Sequence, residues 1–450
     1  MNQLSEAVTR YHKILEGDHY KSLSWAHDLQ ERMKAQSLVA AGRPISPVLR
    51  PHFITRRQYA GLVKAVESFS SSLQRVQTKA LGSPALLARM ELLPAEKMLA
   101  AVDPGYSFPA VTSLLDTNIN NGTLRFSRYI PDTPMGVAYG EALADVFYDA
   151  APMKEFRKRY RLEKLPGAKY LLQAILKAYK EWGGKNKKPN VAILELRQPF
   201  QAESGESALI AEMFRREGLP VQVVSPEQLE YRDNVLRHGD FTIDLIFRRV
   251  KVQEFLVRFD LSHPLLQAYR NRAVCMVNSF RSELAQKKAL FDLLTDEDIT
   301  ADFPAAERRA IKEFIPWTRV VQETKTKYRN RTVDLPAFIL HNRNKLVLRP
   351  NDDGDQQSVR GSEVDEAAWE KAVRSALRNP YVVQEALDPV VDTFPVLQYG
   401  HMEMQKMRVD VHPHSYLGKV QGCSSWLTAV GPAEFSSLSG IAPTYILEQK

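Results

Sequence analysis

The chain has 450 residues, 44% hydrophobic and 25% charged, with 21 Gly and 26 Pro, a usage that excludes a disordered or fibrous protein and fits two or three packed units. No apolar run reaches the roughly 18 residues of a membrane span, and the first thirty residues carry charges where a signal peptide has its apolar core. Two cysteines, Cys275 and Cys423, exclude a disulfide framework and a cysteine-rich metal site, so a cytoplasmic protein is the expectation.

The net charge is +8, and it is concentrated: Lys154 to Lys188 holds twelve basic residues against Glu155, Glu163 and Glu181. The remainder of the chain is near neutral. The first hundred residues read as helical, with Leu23, Trp25, Leu29 and Met33 on one face and Leu73, Val76, Leu81 and Leu87 continuing the pattern. Pro44, Pro47 and Pro51 interrupt it. From Leu114 the texture changes to a hairpin that turns at Asn121-Gly122, and helix resumes after Pro134-Met135-Gly136.

The basic stretch carries an apolar stripe of Leu171, Leu172, Ile175, Leu176, Tyr179 and Trp182, closed by Gly183-Gly184. It reads as a solvated amphipathic helix. A nucleic-acid surface is the alternative on charge alone, but the aromatic interleaving of a base-stacking face is missing. Next come the strand Asn190–Leu196, the helix Glu206–Glu217, the strand Val221–Val224, a helix start at Ser225-Pro226-Glu227 and the strand Ile243–Phe247. This order predicts a parallel Rossmann-like sheet, without the glycine-rich turn of a dinucleotide site. Beyond it, strands at Leu346–Pro350, Tyr381–Ala386 and Arg408–His412 alternate with helix around Trp369. The fold class is α/β (α+β). The divisions are a helical region over 1–110, a hairpin segment over 111–152, a basic helix and linker over 153–189, the Rossmann-like unit over 190–275 and a mixed domain over 276–450.

The order Ile243–Arg249, then Leu346-Val347-Leu348-Arg349-Pro350 with a polar Gly354 loop, then Tyr381-Val382-Val383-Gln384-Glu385 resembles the circularly permuted ATP-grasp family of glutathionylspermidine-synthase-like ligases. Asp116 and Ser127–Pro134 are similar to that family's metal-binding segment. The resemblance runs from about Leu114 to the C-terminus and implies two lobes that sandwich ATP. It also implies a metal bridging the β- and γ-phosphates, and a carboxylate activated as an acyl phosphate and captured by an amine. Such chemistry rests on charge neutralisation and positioning.

Matched residue by residue, the resemblance implies Asp116 as the retained metal ligand, with Arg128 where the family has Glu and Ile130 where it has Asn. A guanidinium there repels a cation by roughly 4 kcal/mol per unit charge at about 4 Å and an effective dielectric of about 20, so magnesium is disfavoured. Arg349 stands at the phosphate-gripping lysine, Gly354 is the one glycine left in the phosphate loop, among Asp352, Asp353 and Asp355, and Trp426 replaces an arginine that touches the transferred phosphoryl group. Gln384-Glu385 match the strand that offers its backbone to adenine. Arg349, Gly354, Gln384, Glu385 and Arg128 are thus the candidate nucleotide contacts, Asp116 the metal candidate, and no catalytic residue is assigned.

Lys287-Lys288, Lys325 and Lys327 are further phosphate candidates, His412-Pro413-His414 reads as strand and turn before it reads as a metal cluster, and His263 reads as a packing and turn residue. Losses at four site positions point to a ligase scaffold without its chemistry, working with a protein partner or a small molecule. The alternatives are an active ATP-dependent carboxylate-amine ligase in which Arg128 contacts phosphate directly, and a nucleic-acid-associated protein acting through the basic helix.

Overall fold

The computed structural model describes residues 3–40, 42–108, 110–120, 122–196, 205–352, 357–430 and 438–449. Its helices and strands are mixed, as the α/β reading requires, and three assemblies position the site.

The largest is an eight-stranded sheet. Its path runs from β1 (His52–Thr55) through β16 (Ser439–Gln449), β15 (Lys419–Ala429) and β14 (His401–Tyr416) to the hairpin β2 (Thr112–Asn120) and β3 (Thr123–Ile130). In addition β13 (Val391–Gln398) pairs with β14, and β4 (Tyr160–Lys164) pairs with β16. The expected hairpin is present, with Asn120 opposite Thr123, and its first strand joins the C-terminal strands through Val411 opposite Thr117. One face is covered by α3 (Arg56–Leu81), whose Phe69 stacks on Phe126 at 5.7 Å. Thr55 starts that helix with a capping box: its Oγ1 accepts from Gln58 N at 3.1 Å, and Gln58 Oε1 accepts from Thr55 N. The other face is covered by α5 (Val137–Tyr148), with α1 (Gln3–Leu15) and α2 (Ser24–Ala35) packed in the same core as Ile441 and Tyr445.

Three local readings change. The stretch 153–189 is not continuous helix: a helix over Ala151–Phe156 gives way to β4, and only Ala168–Trp182 forms the amphipathic helix α6. Pro166-Gly167 breaks the helix, and alternation of inward Tyr160 and Leu162 with exposed Arg161 and Glu163 has the period of a strand. Within the helical first hundred residues, β1 forms beside Pro51 because Thr444–Leu447 offers it a parallel partner. Ser225-Pro226-Glu227 begins only a single 3-10 turn, Pro226–Gln228.

The second assembly is the parallel sheet, in the order β8 (Cys275–Val277), β7 (Leu245–Arg248), β5 (Val191–Leu194), β6 (Val221–Val224). Strands β5, β7 and β8 are buried throughout, and the edge strand β6 is half-buried at Gln222 and Val223. The helices α6 and α7 (Gly205–Arg216) cover one face, and helices over Val252–Arg258 and Pro264–Arg270 cover the other. Here His263 caps the last of these, its Nδ1 accepting from Leu265 N at 3.1 Å. The third assembly is an antiparallel sheet, β9 (Thr318–Val320), β12 (Tyr381–Glu385), β10 (Leu346–Pro350) and β11 (Val359–Arg360). Helices over Leu335–His341 and Glu366–Ala376 back it, with Trp369 buried between them.

Buried ions join the assemblies. Arg248 meets Asp132 at 2.5 Å, and Arg249 meets Glu206 at 2.8 Å. The same Glu206 accepts from Gly136 N and Ala138 N, so one carboxylate neutralises Arg249 and satisfies the first turn of α5. Lys287 is fully buried among Glu96, Glu283 and Asp352, at 2.9, 3.1 and 2.5 Å. Burial, reinforced by Asp132 against the pull of Lys287, pushes the Glu283 carboxyl up to about 8.

Two outcomes follow from these ions. Glu206→Ala leaves a buried guanidinium uncompensated and should lower unfolding free energy in urea by about 3 to 5 kcal/mol. The raised Glu283 pKa means that the protonated acid favours the fold; this contribution is complete below the ordinary carboxyl value and is lost as pH rises through about 8. Glu283→Gln should therefore flatten the decline of melting temperature over that interval.

Candidate functional site

The site lies on the α5-side face of the large sheet, where β2, β3 and β14 run side by side. Asp116 and Arg128 are directly opposite in the hairpin, and a register irregularity follows Asp116. Arg128 Nε donates to one Asp116 oxygen at 2.8 Å, and His412 Nε2 lies 2.7 Å from the other. Burial alone would raise this carboxyl, but Arg128 and then His412 outweigh it and hold Asp116 well below the usual carboxylate range. Both oxygens that the resemblance assigns to a metal therefore face cationic or hydrogen-bonding side chains of the protein itself. Ile130 supplies no donor atom. These residues do not fit magnesium.

His412 is two residues from Asp410, which pairs with Arg408 at 2.9 Å. Alternation along β14 puts all three on one face, with Trp426 opposite Asp410. The indole lies 6.0 Å from the His412 ring, and a Cβ at Gly136 would come within 3.6 Å of its Nε1. Trp426 thus packs beneath the chain's entry to α5. The second histidine of the pair, His414, points elsewhere in function: its Nε2 is bonded to Ser424 Oγ at 3.0 Å. Burial pushes its pKa down to about 3, which keeps it neutral. Among the described residues no group of three or more His, Cys, Asp or Glu could hold a metal. A cavity of about 10 Å³ beside His414, Arg249 and Tyr416 has room for about one water, not a substrate.

The third sheet supplies the other candidates. Arg349 and Arg360 share one face of it, since Val347 is opposite both Gln384 and Arg360, and Arg349 is two residues beyond Val347. Gln384 is buried at the centre of the sheet, with Nε2 donating to Thr318 Oγ1 at 3.0 Å. Glu385 accepts from Tyr328 Oη at 2.9 Å. On the strand that the resemblance offers to adenine, Glu385 N donates to Trp317 O at 2.9 Å, and just beyond it Ala386 N donates to Lys345 O at 2.8 Å. The following carbonyls are engaged as well, Leu387 O by Arg360 Nη2 and Asp388 O by Asn118 Nδ2. Gly354, with Asp353 and Asp355, lies outside the described residues.

The structure brings Asp116, Arg128 and Arg349 to one place, and adds Arg360, Arg408 and His412, which sequence reasoning did not assign to it. A period-two run of Arg408, Asp410 and His412 was the available signal; its meaning depended on the register between β14 and β2. The lysine candidates go elsewhere. Lys287 is neutralised in the interior, Lys288 is buried beside it, Lys327 pairs with Asp298 at 2.8 Å, and Lys325 stands opposite Asp334 on a separate hairpin.

The sequence matches no known family, and no curated protein matches it. Among solved structures it is similar to a glutathione synthetase-like effector from Globodera pallida in its apo form, at 12% identity and a TM-score of 0.57, over 94% of this chain and 96% of that one. A putative gamma-glutamylcysteine synthetase from Methylobacillus flagellatus KT matches at 10% identity and a TM-score of 0.39, over 86% and 87%. A RimK-domain ATP-grasp protein from Sphaerobacter thermophilus matches at 17% and 0.28, over 56% and 89%. The likeness to the effector extends over nearly the whole of both chains and is one of fold, of the α/β class.

Proposed function

We propose that this protein is a circularly permuted ATP-grasp scaffold that has given up ATP-dependent ligation and works by binding. The observation that carries the reading is the Asp116–Arg128 pair, flanked by His412. A guanidinium bonded to the would-be metal ligand supplies a fixed single charge, where phosphoryl transfer needs a divalent ion that bridges two phosphates. Three further features support it. The backbone amides of Glu385 and Ala386 are spent within the fold, Lys287 is enclosed by three carboxylates, and Trp426 is packed where a phosphoryl-contacting arginine is expected. The permutation is supported by the pairing of β2, upstream of the parallel sheet, with β14 near the C-terminus. The partner is a protein or a small molecule that uses the scaffold's surface or its remaining cationic face.

Calorimetry of the full chain with ATP should give the same small or absent heat with magnesium and with a chelator, and no phosphate release. Magnesium-dependent binding followed by turnover, abolished by Arg349→Ala, would show instead an active ligase. Trp426→Arg, which restores the cation of the resembled motif, should lower stability by about 3 kcal/mol because it buries a charge where an indole packs. It should also bring no ATPase activity. A variant as stable as the parent would show that Trp426 lines an open cleft.

A further inference from the structure

The cavity of about 10 Å³ lies where the large sheet meets the parallel sheet, and Leu171, Ile210 and Phe247 are among its apolar walls. Three polar side chains complete its lining. His414 and Tyr416 come from β14, where they stand opposite Leu114 and Thr112 of β2, and Arg249 comes from the residue just beyond β7. His414 and Tyr416 are buried, and the Arg249 side chain is 5% exposed. Each of the three carries one sealed polar atom without a hydrogen-bond partner among the described residues: Nδ1 of His414, Oη of Tyr416 and Nε of Arg249. Buried polar atoms are rarely left unbonded, because an unpaired one forfeits its hydration and gains nothing in return.

Charge and size select what can bond them. Arg249 is already neutralised by Glu206 at 2.8 Å, so the cavity has no surplus positive charge for an anion to match. A cation would meet the guanidinium. Burial keeps His414 unprotonated and holds the Tyr416 phenol in its protonated form, which leaves two neutral groups. The occupant is therefore neutral. A volume of about 10 Å³ is the least that holds one water and is too small for an organic group.

The donors and acceptors are also complementary to water. Arg249 Nε can only donate, and Tyr416 Oη can donate or accept. The other ring nitrogen of His414, Nε2, is bonded to Ser424 Oγ at 3.0 Å; with the ring proton placed there, Nδ1 is an acceptor.

We infer that this cavity is a binding site for a single water molecule, which accepts from Arg249 Nε and Tyr416 Oη, donates to His414 Nδ1, and so bridges the parallel sheet to the large sheet. Three hydrogen bonds is the usual number for a buried water. The site goes beyond the functional reading and does not depend on whether ATP is turned over.

Two measurements on the full chain test it. The first is a crystal structure at a resolution that orders waters, from crystals grown in sodium bromide. It should show one water within hydrogen-bond distance of all three atoms and no anomalous bromide signal in the cavity. A cavity without density, or a bromide ion within it, overturns the proposal. The second is the melting temperature of Tyr416→Phe, where the sign decides. If the hydroxyl is bonded to water, its removal should lower the melting temperature by about 1 to 2 °C, the shift expected for one lost hydrogen bond in a chain of this size. If the hydroxyl is unbonded, the same change removes an unsatisfied buried atom, and a melting temperature equal to or above that of the parent overturns the proposal.

Discussion

The pairing of β2 with β14 is the constraint on which the molecule depends. It joins residues 112–117 to residues 411–416, so the sheet cannot close until almost the entire chain is in place. Loop closure on that scale is entropically unfavourable and contributes nothing until the strands dock. The fold offsets it with many small locks. Asn278, at the end of β8, accepts from Val111 N and Thr112 N and donates to Thr112 O, which holds the start of β2 against the parallel sheet. Arg248 and Arg249 extend from the next strand to Asp132 and Glu206. The register that these locks define also puts His412 beside Asp116.

Charge in the interior follows a consistent rule, that a buried ion is tolerable when its partners are fixed and its remaining hydrogen bonds are satisfied. Arg248 meets it most fully: besides Asp132 it donates to Asn278 O, Val250 O, Ser279 O and Ser282 Oγ. Arg50 pairs with Asp392 at 2.5 Å and stacks on Phe394. Lys287 has three carboxylates, and Glu283 absorbs part of the surplus negative charge by holding its proton. These sites are structural because each buried cation has a fixed carboxylate partner.

What could be read from the sequence was what depends on near neighbours. The strands Val191–Leu194 and Val221–Val224 are apolar on both sides, the Leu171-Ile175 stripe marks α6, and Asn121-Gly122 marks the hairpin turn. What could not be read depends on distant partners. Four residues after Pro51 become a strand only because Thr444–Leu447 lies alongside, and Tyr160–Lys164 does so for the same reason. Lys287 reads from the sequence as a phosphate candidate because Glu96 and Asp352, which enclose it, come from far apart in the chain. Arg128 at a position expected to be acidic was visible from the residues alone. That its charge is bonded to Asp116 required the register.

The distribution of these features separates scaffold from chemistry. Asp132, Glu206 and Asn278 join the assemblies, and each is fully engaged within the protein. Arg128, Ile130 and Trp426 lie on the site face instead. The Arg128 guanidinium beside Asp116 serves the fold directly. Asp116 sits in a largely buried sheet position where a lone carboxylate would be unfavourable, and a covalently attached cation neutralises it at every metal concentration. A carboxylate paired in this way is tolerated in the sheet without a further counter-ion.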